Sequence, residues 1–336
     1  MKKNTPLLIL ALVLLLVLML LISVVIRLNS TTDQPDATDA TPTGPVITDP
    51  PTDPPTDPPT DPPTDPPTDP PTEPPTDPPT DPNKEYIGTL YTRDELEAMD
   101  KTYNPNGYGA GGTSGGKRPG GPVNDQKKYG EYGGNFIGED EKTIYLTFDC
   151  GYEYTATDEN GQKYRVTERI LDVLKEKNVK AVFFVTMHYV KTQPDLVKRM
   201  IDEGHAVGNH TNNHPVMPKQ TIDKMVYEIT SLEDYIEQKI GSYKMTLFRP
   251  PTGAFSIQSL SVLKSLGYKT MLWSFQYYDY DTSAQMEPAK ALEKVTSCHH
   301  NGAIYLLHAV STTNAAILGD AIDFFRAEGY EIALFQ

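Results

Sequence analysis

The segment His210-Thr211-Asn212-Asn213-His214 places two imidazoles four residues apart, directly after the apolar run Ala206-Val207-Gly208-Asn209. Two rings at that spacing can close on one divalent metal ion. Four further ionisable side chains, Asp149, Arg249, Asp279 and His308, each sit just past a short β-like apolar run. In a barrel of alternating strands and helices, residues at strand C-termini converge on one face, where catalytic sites are built. A divalent metal, two carboxylates, an arginine and a second-sphere histidine in one bowl make a metal-assisted hydrolase.

The elements that must position these groups follow Glu141. Strands are predicted at Thr143–Phe148, Ala181–Val185, Ala206–Gly208, Thr246–Phe248, Thr270–Trp273, Ala303–Leu307 and Ile332–Leu334. Helical patterns run between them. Met225, Ile229, Leu232 and Ile236 recur at spacings of four, three and four, the stripe of an amphipathic helix. Ile170, Leu171 and Leu174 begin a second such stripe, and Ala315–Glu328 is a third, with Gly204 and Gly329 where helix C-caps belong. Seven strands with intervening helices make one α/β domain. With no eighth strand in sight, the expected fold is an incomplete, distorted (β/α) barrel of about seven strands, with a doubly wound open sheet as the second choice.

Upstream, Leu7 to Ile26 is twenty residues without a charge, enough at ~1.5 Å per residue to span a ~30 Å hydrocarbon core. Lys2 and Lys3 precede it, and the first charge after Arg27 is Asp33. The positive-inside rule puts the N-terminus in the cytoplasm and the rest outside the cell membrane. The run exceeds a signal peptide's apolar region and offers no clean cleavage site, so it reads as an uncleaved anchor. From Thr48 to Pro79, Thr-Asp-Pro-Pro repeats eight times, once as Thr72-Glu73-Pro74-Pro75. Proline removes amide donors and nothing apolar is available to bury, so the tract is expected as an extended polyproline II spacer reaching on the order of 100 Å. The expected divisions are 1–30 (cytoplasmic tip and anchor), 31–84 (acidic Pro-rich spacer), 85–140 (a Tyr/Gly-rich lead-in) and 141–336 (the catalytic domain). Much of the net charge of −15 lies in the spacer, so a nucleic-acid partner is not expected. No protein partner is evident. Cys150 and Cys298 fall at opposite ends of the expected barrel and are read as free thiols.

Five short motifs occur in order across residues 141–336. Thr147-Phe148-Asp149-x-Gly151 resembles the first motif of the polysaccharide deacetylases. His210-Thr211-x-x-His214-Pro215 resembles that family's metal motif, Arg249-Pro250-Pro251-Thr252-Gly253 its third, Asp279-Tyr280 its fourth and Leu306-Leu307-His308 its fifth. Tyr152-Glu153 and the run from Gly302 to Ser311 are similar to the subgroup that de-N-acetylates muramic acid in peptidoglycan during δ-lactam formation in the spore cortex. The resemblance implies an amide hydrolase in which a divalent metal, in this reading zinc, sits on His210 and His214. It implies Asp149 as the base toward water, held by Arg249, and His308 as the acid toward the leaving nitrogen, oriented by Asp279. A backbone amide near Thr252 would complete the oxyanion site, and Leu306 would wall the acetyl pocket.

Three departures from the family pattern stand out. The residue after the catalytic Asp is usually a second, metal-binding Asp, and here it is Cys150. A thiolate suits zinc, so Cys150 either completes a His-His-Cys site or points away and leaves two protein ligands plus water. Tyr280 stands where tryptophan is usual, altering one wall of the sugar groove, and Thr155–Arg165 is longer than the usual turn. Trp273 and Tyr277-Tyr278 can stack on sugar rings or belong to the core. His188, His205, His299 and His300 read as structural, with His205 capping the preceding helix. The functional expectation is a membrane-anchored de-N-acetylase of peptidoglycan. Other N-acetylated polymers, such as chitin oligomers or an exopolysaccharide, are the second reading, and an inactive wall-binding module is the third.

Overall fold

The computed structural model describes residues 90–336. The expected anchor and the Thr-Asp-Pro-Pro spacer lie outside the described residues. Among the described residues no helix is long and apolar enough to cross a membrane.

One parallel sheet organises the domain. Its order is β1 (Gly134–Asn135), β8 (Lys269–Met271), β7 (Leu247–Phe248), β6 (Ala206–Asn209), β5 (Val182–Val185), β2 (Thr143–Cys150), β10 (Ala303–His308) and β9 (Phe275–Gln276). A last strand, β11 (Glu331–Ile332), pairs with the start of β2. All seven expected strands are present, shifted at their ends by a residue or two. The additions are the short β1 and β9. Leu272 N donates to Asn135 O and Ser274 N to Ile304 O. The stretch 269–276 therefore pairs first with β7 and β1, then with β10, and bridges the two sides of the curled sheet. The result is an incomplete α/β barrel. The long segment after the first motif forms an antiparallel hairpin of β3 (Thr155–Thr157) and β4 (Lys163–Arg165).

Strand alternation divides the side chains between two cores. Ile144, Leu146, Phe148 and Cys150 of β2, with Ala303, Tyr305 and Leu307 of β10, face the helices. Val182, Phe184, Leu247, Ile304 and Leu306 face the barrel interior. The helix over Ile222–Lys239 is capped by Thr221, whose hydroxyl accepts from Lys224 N, and it buries Met225, Ile229, Leu232 and Ile236. Full burial of one such side chain contributes about 1.5–3 kcal/mol. Helices also cover Val166–Glu176 and Thr312–Ala327. Gly204 and Gly329 follow their helix C-caps at φ 79° and 80°, conformations that glycine takes without steric cost.

The lead-in is part of this barrel. After a short helix at Arg93–Ala98, closed by a Thr92–Glu95 capping box, the chain brings Tyr108 into the interior. Its ring packs 5.3 Å from both Phe136 and Trp273. His205 caps the helix over Pro194–Asp202 through its backbone, its N donating to Met200 O at 2.9 Å, while its side chain serves a strand. It is buried, and its Nδ1 accepts from Ala181 N at the entry to β5.

Candidate active site

Asp149 and His308 are register partners on neighbouring strands, so their side chains leave the same face of the sheet at its C-terminal edge. Arg249 follows β7 and is fully buried. Its Nη1 donates to Asp149 Oδ1 at 2.9 Å, and its Nε and Nη2 donate to the carbonyls of Met271 and Leu272 at 3.3 Å. The guanidinium also stacks 4.3 Å from the centre of the Phe184 ring. Each of the three guanidinium nitrogens thus has a partner, and one of those partners is the Asp149 carboxylate.

Burial opposes a charge on Asp149, but Arg249, with His210 and His308, outweighs it and holds the carboxyl below its ordinary range. His308 is pushed the other way. Burial opposes its charge too, but Asp279, with a further contribution from Asp149, raises it above the ordinary imidazole value. The Asp279 carboxylate is bound by His308 Nδ1 at 2.7 Å, by His308 N at 2.8 Å and by Asn314 Nδ2 at 2.6 Å. A carboxylate only accepts, so the proton on Nδ1 is tied to Asp279 and Nε2 is the nitrogen turned to other chemistry. One carboxylate is biased toward its charged form and one imidazole toward its protonated form, side by side.

The two-histidine loop rises from the end of β6. His210 Nδ1 lies 2.8 Å from Arg249 O. A carbonyl cannot donate, so Nδ1 carries the hydrogen and the Nε2 lone pair is free. That nitrogen stands 3.8 Å from Asp149 Oδ2. Burial lowers the His210 pKa to about 4, partly opposed by Asp149, and burial lowers His214 in the same direction. The two rings are 4.9 Å apart between centroids. Imidazoles that burial biases toward the neutral form, beside the Asp149 carboxylate, fit a divalent cation. Among the described residues no group of three His, Cys, Asp or Glu side chains is arranged to hold an ion.

Cys150 is not brought to this place. One residue beyond Asp149 on the same strand, it points to the opposite face, fully buried among helix-facing apolar side chains. Its sulfur lies 4.0 Å from Phe148 O, and burial raises its pKa well above the ordinary thiol value. Period-two alternation is the cause: if Asp149 faces the bowl, Cys150 cannot. Both cysteines are free thiols.

The bowl opens into a groove of about 1030 Å³. Leu306 and Trp273 form apolar wall, each nearly buried. Thr252 lines the groove with φ 59°, its left-handed backbone turning the chain at the third motif. Tyr280 stands exposed on the rim, its ring 5.5 Å from that of His308, and Tyr278 stacks beside it. His188, read from sequence as structural, also lines the groove, as do Asn106 and Tyr108 of the lead-in. His300 is structural, buried between Cys298 O and Ser274 Oγ.

Sequence reasoning missed several supporting residues. Asn314 holds Asp279, and Tyr277 in turn donates to Asn314 Oδ1. Glu228 holds the two-histidine loop through Asn213. The signal for Glu228 was available, because a carboxylate on the 225–229–232 stripe must have a partner. Nothing in the aperiodic lead-in pointed to Asn106 or Tyr108.

A groove with a clamped carboxylate, an imidazole tied to a second carboxylate and two further imidazoles close together suits hydrolysis of an amide. Residues 137–271 match the family model for polysaccharide deacetylase. The chain belongs to the polysaccharide deacetylase family and is a hydrolase acting on amide bonds. It is similar to the peptidoglycan-N-acetylmuramic acid deacetylase PdaA of Bacillus subtilis, at 44% identity over 190 residues, or 56% of this chain and 68% of that one. The peptidoglycan-N-acetylglucosamine deacetylase PgdA of Listeria monocytogenes is 35% identical over 191 residues, which cover 37% of its own length. The solved structure of Bacillus subtilis PdaA, a family 4 carbohydrate esterase, is similar with a TM-score of 0.63 at 37% identity, over 70% of this chain and 96% of that one.

Proposed function

We propose that the chain is a divalent-metal-dependent de-N-acetylase of peptidoglycan that releases acetate from N-acetylmuramic acid and works outside the membrane that anchors it. The observation that carries the reading is the opposed pair: Asp149 is held below its ordinary range and His308 above it, on adjacent strands facing one groove. Environments that push two titratable groups apart mark the base and the acid. The names of the relatives support peptidoglycan as the polymer, and the higher identity and coverage of PdaA support muramic acid as the sugar.

His210 and His214 would hold the ion, zinc in this reading, which when bound supplies Lewis-acid polarisation of the acetamido carbonyl and a more acidic water. Asp149 Oδ2, the oxygen not used by Arg249, accepts a proton from the attacking water. The new C–O bond forms first, and as the C–N bond then breaks His308 Nε2 delivers its proton to the departing sugar nitrogen. Asp279 keeps the proton-donating nitrogen turned to the groove. A backbone amide near Thr252 would stabilise the developing oxyanion, and Leu306 with Trp273 would receive the acetyl methyl group. Tyr280 would form the rim against the sugar.

The anchor at Leu7–Ile26 and the proline-rich tract support an extracytoplasmic enzyme held at a distance from the membrane, where its polymer is. The test is acetate release from purified peptidoglycan, with mass spectrometry of the muropeptides. Loss of acetyl from muramic acid is expected. Loss from glucosamine alone would replace the proposed sugar, and no release with either would remove the polymer from the reading.

A further inference from the structure

Glu228 is completely buried on the apolar face of the helix over Ile222–Lys239, one turn from Met225 and from Leu232. Both oxygens of its carboxylate are used on one residue. Oε2 accepts from Asn213 N at 2.7 Å and Oε1 accepts from Asn213 Nδ2 at 2.9 Å. Lys224 Nζ lies 3.5 Å from Oε1. A buried carboxylate of this kind does not repay its desolvation in stability, since apolar replacements are often as stable or more so. Its use has to be geometric.

What it fixes is the two-histidine loop. The same helix turn takes Asn212 N on Glu228 O and Asn209 Nδ2 on Ile229 O, each at 3.0 Å. Asn209 Oδ1 accepts from Thr211 N at 2.9 Å, and Thr211 Oγ1 accepts from His214 N at 2.8 Å. The loop needs this support because Thr211 and His214 sit at φ 75° and 56°, a region that residues with a Cβ seldom occupy. Remove the grip on Asn213, next to His214, and the loop has a less strained course open to it.

We propose that Glu228 is the positioning residue for the metal ligand His214, its buried carboxylate locking Asn213 so that the His214 ring stays opposed to His210 at the spacing a divalent ion requires. The inference rests on the reading of His210 and His214 as ligands. Glu228 touches neither the ion nor the substrate, so it acts on affinity for the ion before it acts on chemistry.

The experiment titrates zinc into the purified protein against a chromophoric chelator, so that the readout is a dissociation constant and not turnover. Glu228→Gln keeps the shape but turns an NH2 group toward a donor of Asn213, and zinc affinity is expected to fall about 10–100-fold, the range for loss of an outer-shell partner. Adding Asn213→Asp gives that NH2 an acceptor and should recover most of the loss. Asn213→Ala, at an exposed position, should weaken zinc binding in the same direction and carries the test if Glu228→Gln does not fold. Wild-type zinc affinity in folded Glu228→Gln or in Asn213→Ala would overturn the assignment, as would a loss that Asn213→Asp does not relieve. A wild-type protein that binds no divalent ion would remove the ligand reading and this inference with it, a result distinct from an unchanged constant.

Discussion

At the scale of single residues, the proposed chemistry depends on His308 holding a proton that Asp149 does not. Its raised pKa extends the acid form to higher pH than an ordinary imidazole keeps it, and that form is lost as pH climbs through the folded value, which lies above the usual ~6.5. Asp279→Asn removes the group that raises it, so the alkaline limb of kcat/KM should move to lower pH and the maximum should fall. An unmoved limb would deny Asp279 its role. Asp149→Asn should lower turnover at least ~10²-fold, the scale of general-base assistance, while zinc content stays intact. Near-normal acetate release from that variant would mean another group takes the proton. Cys150 gives the opposite expectation. Cys150→Ser should leave zinc affinity unchanged, whereas Cys150→Asp, which places an unpaired acid in the helix-facing core, should cost about 3 kcal/mol in denaturant unfolding. Loss of zinc binding in Cys150→Ser would bring the thiol back as a ligand.

Between residue and fold lie the strands, and β6 is the one whose sequence is most constrained. A Cβ on Gly208 would lie 2.5 Å from the Phe184 ring and 3.1 Å from Leu247 O. Phe184 is the ring on which Arg249 rests. Gly208→Ala should therefore displace Phe184, loosen the Arg249 clamp and destabilise the domain by about 1–3 kcal/mol, as overpacking does. Thermal unfolding with a parallel assay would detect it, and unchanged stability with unchanged turnover would mean that β6 has slack the packing does not suggest. The stretch 269–276 works differently. Because its two halves pair with opposite sides of the sheet, it carries Trp273 into the groove between two sets of backbone hydrogen bonds.

For the whole molecule, the proposed external placement gives the proline-rich tract the role of a spacer. If the array takes the extended form its sequence predicts, it sets reach and leaves the chemistry alone. Shortening the Thr-Asp-Pro-Pro array to one or two copies should leave activity on soluble glycans unchanged and reduce deacetylation of the intact wall. Equal wall modification by short and full-length forms would give the array another role. If the anchor lies as proposed, protease added to wall-less cells should release a soluble fragment containing the catalytic domain, and protection of that domain would overturn the external placement.

The positions of Asp149, His210, His214, Arg249, Asp279 and His308 were legible in the sequence because each follows a short apolar run, and parallel strands deliver their C-terminal residues to one edge whatever the loops do. The seven strands and the incomplete barrel follow from the same local periodicity. Cys150 could have been decided by counting, since one residue past an inward-facing Asp149 must face outward, but only with the facing of Asp149 already known. Tertiary structure alone decided the rest. Arg249 chooses Asp149 because three of its donors are claimed by carbonyls of another strand and by that carboxylate. Glu228 reaches Asn213 from fifteen residues away, and Tyr108 enters the barrel from a glycine-rich segment with no period to read. These contacts join parts of the chain with no local pattern in common, so only the packing of the helix and the lead-in against the sheet brings them together.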